Sequence, residues 1–287
     1  MVDVNTIRAL AYIVAVITYL LGTIFLAAPG HRGMKEAGRE MVEDGILAIV
    51  LITLTAGLPA LIFWVSSILF PNVSLTQAYN AFFKWANEQK MLALGMAAVM
   101  MAITFGLGAA DQALNMLLPG SAPFSALAKL FLSFISLWVG AIYGTYTLLS
   151  VIEKLGAILL SSWDIFVAYG SLIYALPKRI GRGLGGAMIS GALVYLIGIP
   201  LMPSFCNLVG MEVSTEFASL PADVSKMTPL MVIDLATGLS PAATLFIWKY
   251  AVLPVFYLSL LGFISSGVSR LLQSFTPWVV SRTRPVS

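Results

Sequence analysis

The sequence predicts an all-α fold, a polytopic bundle of about seven transmembrane helices, with six as the alternative, and short amphipathic helices at the membrane interface. Three observations carry that prediction. Hydrophobic residues make up 59% of the chain, charged residues 10%, and the mean hydropathy is +0.94. A soluble domain is about 45–50% apolar and about 25% charged, because its surface must be wet. The apolar residues also gather into runs near 20 residues long, the length that crosses a bilayer as a helix. Finally, lipid offers no partners to a bare backbone, so such runs must be helical. The 287 residues suit one transmembrane helical domain, 1-287.

The runs, in order, are residues 9–28, 45–70, 91–110, 130–152, 155–176, 184–202 and roughly 244–268. The first is longer than the core of a signal peptide, and Pro29-Gly30-His31-Arg32 is a poor cleavage site, so it reads as a retained span. Pro59 and Pro254 fall inside runs, where neighbouring helices tolerate kinks.

The connectors add detail. In residues 32–44, charges alternate with Met34, Ala37, Met41 and Val42 at helical spacing, an amphipathic pattern. Arg32/Glu36 and Arg39/Glu43 are opposite charges one turn apart. Leu75, Tyr79, Phe82 and Phe83, with Trp85 beside them, form a stripe expected to lie flat among headgroups. Between residues 203 and 239, Thr228-Pro229 is a helix start and Gly238 a stop.

Charge distribution sets orientation, since cytoplasmic loops carry the excess Lys and Arg. With seven spans, ten Lys/Arg fall on one side and six on the other, placing the N-terminus outside and the C-terminus cytoplasmic in a multi-pass cell-membrane protein. Six spans with an inside N-terminus give the same split. Asn72-Val73-Ser74 is a glycosylation sequon, usable only outside, and agrees with seven.

Asp164 stands in the middle of the fifth run. A carboxylate at that depth must face water or the bundle interior. It reads either as part of a polar translocation path, or as a helix–helix hydrogen bond or a neutral acid. Lys178, Arg179 and Arg182 form a cytosolic basic face, suited to lipid phosphate, a cytosolic partner or a polyanion. Gly181 through Gly186 matches G-x-G-x-x-G, but a dinucleotide site needs a preceding strand and a βαβ unit. Close helix packing is the better reading: Gly183, Ala187 and Gly191 lie four apart, as do Gly186 and Ser190. Lys249, near the start of the last run, snorkels to the interface.

Catalytic signatures are missing. There is no H-E-x-x-H, no Walker lysine, no acid pair spaced for Mg²⁺, and only one histidine, His31, to serve a nucleophile or a metal. One cysteine, Cys206, excludes an internal disulfide. The expectation is a protein that is not an enzyme and holds no metal or cofactor.

Residues 175–187, Ala-Leu-Pro-Lys-Arg-Ile-Gly-Arg-Gly-Leu-Gly-Gly-Ala, then Gly191-Ala-Leu-Val and Ile199-Pro-Leu-Met-Pro203, resemble the CedA family, the polytopic membrane subunit of the crenarchaeal DNA-import apparatus. Residues 35–48, with Ala37-Gly38 and Asp44-Gly45, are similar too. That family is itself similar to the inner-membrane pore subunit of type IV secretion systems. The resemblance implies a channel or scaffold subunit of a conjugation-like machine moving single-stranded DNA, partnered by a hexameric ATPase and small two-helix pilins. Against it stand a secondary transporter for a small solute, which predicts broken helices, and, least favoured, a membrane-embedded enzyme.

Overall fold

The computed structural model describes residues 3–28, 32–117, 122–177, 181–210 and 241–274. The described residues are all-α. In order they form α1 (Val4–Ala27), α2 (Arg32–Ala56), α3 (Leu58–Leu69), α4 (Leu75–Leu117), α5 (Ala122–Tyr174), α6 (Arg182–Gly198), a 3₁₀ turn (Ile199–Leu201) and α7 (Met202–Val209). The last helix, α8, is Pro241–Ser274. Within it Trp248–Val252 is a π-helical turn, and Leu253–Ser274 returns to α geometry.

Five of these helices are long and apolar enough to cross a membrane, or six if the bent pair α2–α3 counts as one span. Among the described residues the count is therefore the six-span alternative at most, not seven. The reason lies at Glu153-Lys154, which was expected to separate two spans. Neither residue breaks a helix, Gly156 just beyond the pair is accommodated within one, and α5 runs unbroken through it for 53 residues. At 1.5 Å per residue that is about 80 Å, well beyond the roughly 30 Å of hydrocarbon in a bilayer. The expected interfacial helices are likewise not separate. Residues 32–44 are the first half of α2, and the Leu75–Trp85 stripe is the start of α4. Two residues of that stripe, Tyr79 and Phe82, are packed against protein and almost wholly buried. The short helix expected at Thr228–Gly238 lies outside the described residues.

Prolines set the irregularities. Pro59 cannot donate to the carbonyl of Thr55, four residues back, and Gly57 caps the next helix, so α2 and α3 meet at 51°. Pro254 cannot donate to Tyr250, and the preceding turn widens until the Leu253 N–H reaches Trp248. Pro200 leaves the Leu196 carbonyl without its helical donor, and the Tyr79 hydroxyl donates to it instead at 3.0 Å.

The chain forms two compact units. The first comprises Met1–Tyr79, Gly156–Pro200 and Leu258–Ser287. Here α1 and α2 form an antiparallel hairpin along a glycine seam. A Cβ on Gly22 would sit 2.7 Å from the Gly38 carbonyl, one on Gly38 2.8 Å from the Gly22 carbonyl, and one on Gly45 2.8 Å from the Tyr19 backbone. The end of α5 and α6 form a second seam, with Gly185 packed on Gly170 and Tyr174. The second unit comprises Asn80–Leu155 and Leu201–Tyr257. Its core is built from larger side chains: Met96, Met100 and Ile103 of α4, Ile142 and Leu149 of α5, and Phe246 and Tyr250 of α8. Trp85 packs against Tyr250 and Phe205 against Tyr257, with ring centres 6.1 and 4.8 Å apart.

Candidate functional site

The first unit places a charged pair where its two hairpins meet. Asp44 lies in α2, at the point where the charged half of that helix gives way to its apolar half. Arg182 is the first residue of α6, immediately after the Gly181 cap. The Arg182 guanidinium donates to an Asp44 carboxylate oxygen, and the two residues are only 5% and 4% exposed. The guanidinium also stands 5.9 Å from the centre of the Tyr174 ring, and the Tyr174 hydroxyl donates to the Leu272 carbonyl at 2.8 Å. That carbonyl belongs to α8. One tyrosine thus links α5, α6 and α8 while its face covers the cation.

Burying two charges is costly, and only direct contact with further satisfaction offsets the loss of water. The arrangement supplies that. A charge-assisted hydrogen bond neutralises the pair, and the aromatic face adds a favourable contact for the cation. Gly181 permits the approach, since a Cβ there would lie 1.6 Å from the Ile173 carbonyl oxygen.

The predicted site residues are dispersed by the structure. Arg182, expected on a cytosolic basic face, is buried against Asp44; opposite charge outcompetes solvent for it. Lys178 and Arg179 lie outside the described residues. Asp164 is half-buried in α5, and its carboxylate accepts the Ile165 N–H at 2.9 Å. Among the described residues no ion pair joins it to Arg182.

The small-residue faces divide. Among the described residues, a Cβ on Gly183 would meet nothing within 4 Å, and one on Gly191 only the Ser265 hydroxyl, at 3.8 Å. On the other face, Gly186 approaches Ser269 at 3.4 Å and Ser190 shares a hydrogen bond of 3.3 Å with Ser265 of α8. Ala187 enters through its carbonyl, which accepts from the Ser190 hydroxyl at 3.3 Å. The tightest contact belongs to Gly185, which the four-residue spacing passes over.

Asn72 is exposed in the left-handed region, φ 68°, a conformation asparagine tolerates well. It stands at a cleft whose walls include Pro59, Phe63, Ser66 and Phe70. Ser74 of the same sequon is already engaged. Its hydroxyl accepts the Gln77 N–H at 3.2 Å while Gln77 accepts the Ser74 N–H at 2.9 Å, a capping box that starts α4.

One further pair escaped the sequence, and one residue departs from its expected place. Lys90 and Glu153 pair between α4 and α5 in the second unit, with side chains 14% and 26% exposed. Lys249, expected to snorkel, is instead 8% exposed in the π-turn, its stem packed beside Gly210 and its ammonium 5.7 Å from the Tyr250 ring centre. A signal existed for Asp44 and Arg182. Each is a charge at the edge of an apolar run, where a partner of opposite sign is needed.

Comparison with known proteins follows the same lines. The family model described as "DNA import protein CedA1" matches residues 2–70, which hold α1, α2 and α3. The DNA import protein CedA of Sulfolobus acidocaldarius is 24% identical over 274 residues, covering 94% of this chain and 95% of that protein. No solved structure matches the chain. The similarity to that protein spans nearly the full length of both chains, and the family model's match spans the first three helices.

Proposed function

We propose that this chain is a non-enzymatic membrane subunit, a channel or scaffold, of a conjugation-like machine that brings DNA into the cell. The observation that carries the reading is similarity to a DNA import protein over nearly the full length of both chains. The helices agree with it: they are long, apolar and exposed along their flanks, as a lipid-solvated scaffold requires. The partners that fit are a hexameric conjugation-type ATPase, which supplies the energy this chain has no motif to harvest, and small two-helix pilins. The strand is single-stranded DNA, and the side bearing Lys178 and Arg179 is the cytoplasmic one.

Deletion and complementation test this reading. Cells lacking the gene lose DNA uptake and recover it when the chain is restored, and the tagged chain co-purifies with the ATPase. Unchanged uptake after clean deletion contradicts the reading.

A secondary transporter is the second reading, and the breaks at Gly57–Pro59 and before Pro254 favour it, because unwound helices build solute sites. Solute uptake into proteoliposomes, lost in Asp164→Asn, would replace the first reading with this one.

A further inference from the structure

We propose that the α1–α2 hairpin is a rigid, hinged arm and that the Asp44–Arg182 ion pair is the latch that holds it closed. Three features make it an arm. Its own seam is locked, because at Gly22, Gly38 and Gly45 the two backbones approach so closely that a Cβ would lie within 2.8 Å of a neighbour. The hydroxyls of Tyr12 and Thr53 share a hydrogen bond of 2.8 Å that ties the open end of the hairpin. At its far end the hairpin meets the break at Gly57, where α2 turns by 51° into α3 and Pro59 removes a helical hydrogen bond. A Cβ on Gly57 would meet only the Leu54 carbonyl, at 3.4 Å, so this joint is uncrowded where the seam is tight.

The face the arm turns to the rest of its unit is apolar: Ala11, Ala15, Ala48 and Ile52 of the hairpin cluster with Ala175 beyond the end of α5, and Leu51 packs with Tyr174 and Ile189. Contact of this kind is non-directional. The ion pair is different in kind. It is directional and strong while closed, and once it parts each charge needs water or another partner. A rigid element, a joint, a non-directional apolar face and a buried, directional ion pair make a two-position device. The inference stands on this geometry and does not depend on what the protein transports.

The test uses the full chain in lipid nanodiscs, with Cys206→Ala and spin labels at Met34 of α2 and Leu184 of α6, both exposed. Pulsed dipolar spectroscopy of this chain gives a single narrow distance. Asp44→Asn adds a second, longer population, and the reversed pair Asp44→Arg with Arg182→Asp restores the single distance. A narrow distribution in Asp44→Asn overturns the proposal, as does a reversed pair that stays broad.

If Asp44→Asn does not fold, the charge-intact chain decides. In Ala175→Cys, the new thiol lies under the arm, and the native Cys206, fully buried in the other unit, reports global unfolding. Opening of the arm labels position 175 with N-ethylmaleimide about tenfold faster than Cys206, whereas equal rates mean the arm does not open by itself.

Discussion

In the unit that contains both hairpins, helices meet through glycine and are tied by polar contacts; in the other unit they meet through methionine, isoleucine and aromatic rings. Gly22, Gly38, Gly45, Gly170, Gly181 and Gly185 of the first are each backed by a neighbouring residue, whereas Gly95, Gly108, Gly140 and Gly144 of the second have, among the described residues, nothing within 4 Å of an added Cβ. The ion pairs follow the same division. Asp44–Arg182 is almost fully buried, and Lys90–Glu153 stays partly exposed. Equal hydropathy therefore conceals two kinds of packing. Glycine seams bring backbones together and leave little room for change, while a core of large side chains can repack around a substitution.

The sharpest way to break this comparison is to remove one charge from each pair. Asp44→Ala leaves a buried guanidinium uncompensated and costs about 3–5 kcal/mol in unfolding from detergent micelles. Lys90→Ala costs about 1 kcal/mol by the same measurement, because Glu153 can be rehydrated. Equal losses would erase the distinction between the pairs.

Glycine substitutions come next. Gly185→Ala drives a methyl to within 2.5 Å of the Gly170 carbonyl and 2.7 Å of the Tyr174 nitrogen. The expected loss is about 1–3 kcal/mol, seen as a lower midpoint in thermal unfolding.

A smaller effect sharpens the account of the proline at position 200. Tyr79→Phe removes the hydroxyl that serves the Leu196 carbonyl and costs about 1 kcal/mol. In a Pro200→Ala background the helix supplies its own N–H, so the same substitution should cost nearly nothing there.

The smallest expected change has the opposite sign. Gly140→Ala and Gly144→Ala, which meet nothing among the described residues, should each raise stability by about 0.5–1 kcal/mol through better helix propensity. A loss at either position would mean that an unseen neighbour occupies that face.

Much of the fold was legible. Run 9–28 became α1 at Val4–Ala27, and the prolines at 59 and 254 mark a bend and a π-turn where kinks were expected. The pairs Arg32–Glu36 and Arg39–Glu43 form, at 3.9 and 3.7 Å. Continuity was harder. Glu153-Lys154 looks like a boundary by hydropathy, yet helix propensity, not polarity, decides whether a helix stops, and Lys90 partners Glu153.

The site was less legible because pairing is a tertiary fact. Asp44 and Arg182 are 138 residues apart, and a basic residue beside Lys178 and Arg179 reads as surface until its carboxylate is seen. The glycine spacing pointed to the right helix but to Gly183 rather than Gly185, since a stripe on a helix says nothing about which face is covered.

The most direct test of the account is a double-mutant cycle on Asp44 and Arg182, using Asp44→Asn, Arg182→Gln and the pair together, read by equilibrium unfolding in micelles. If the two charges hold the hairpins of this unit to one another, the double variant is less destabilised than the sum of the single ones, with a coupling of roughly 3 kcal/mol. Strict additivity would contradict it, because two residues whose losses simply add do not hold each other.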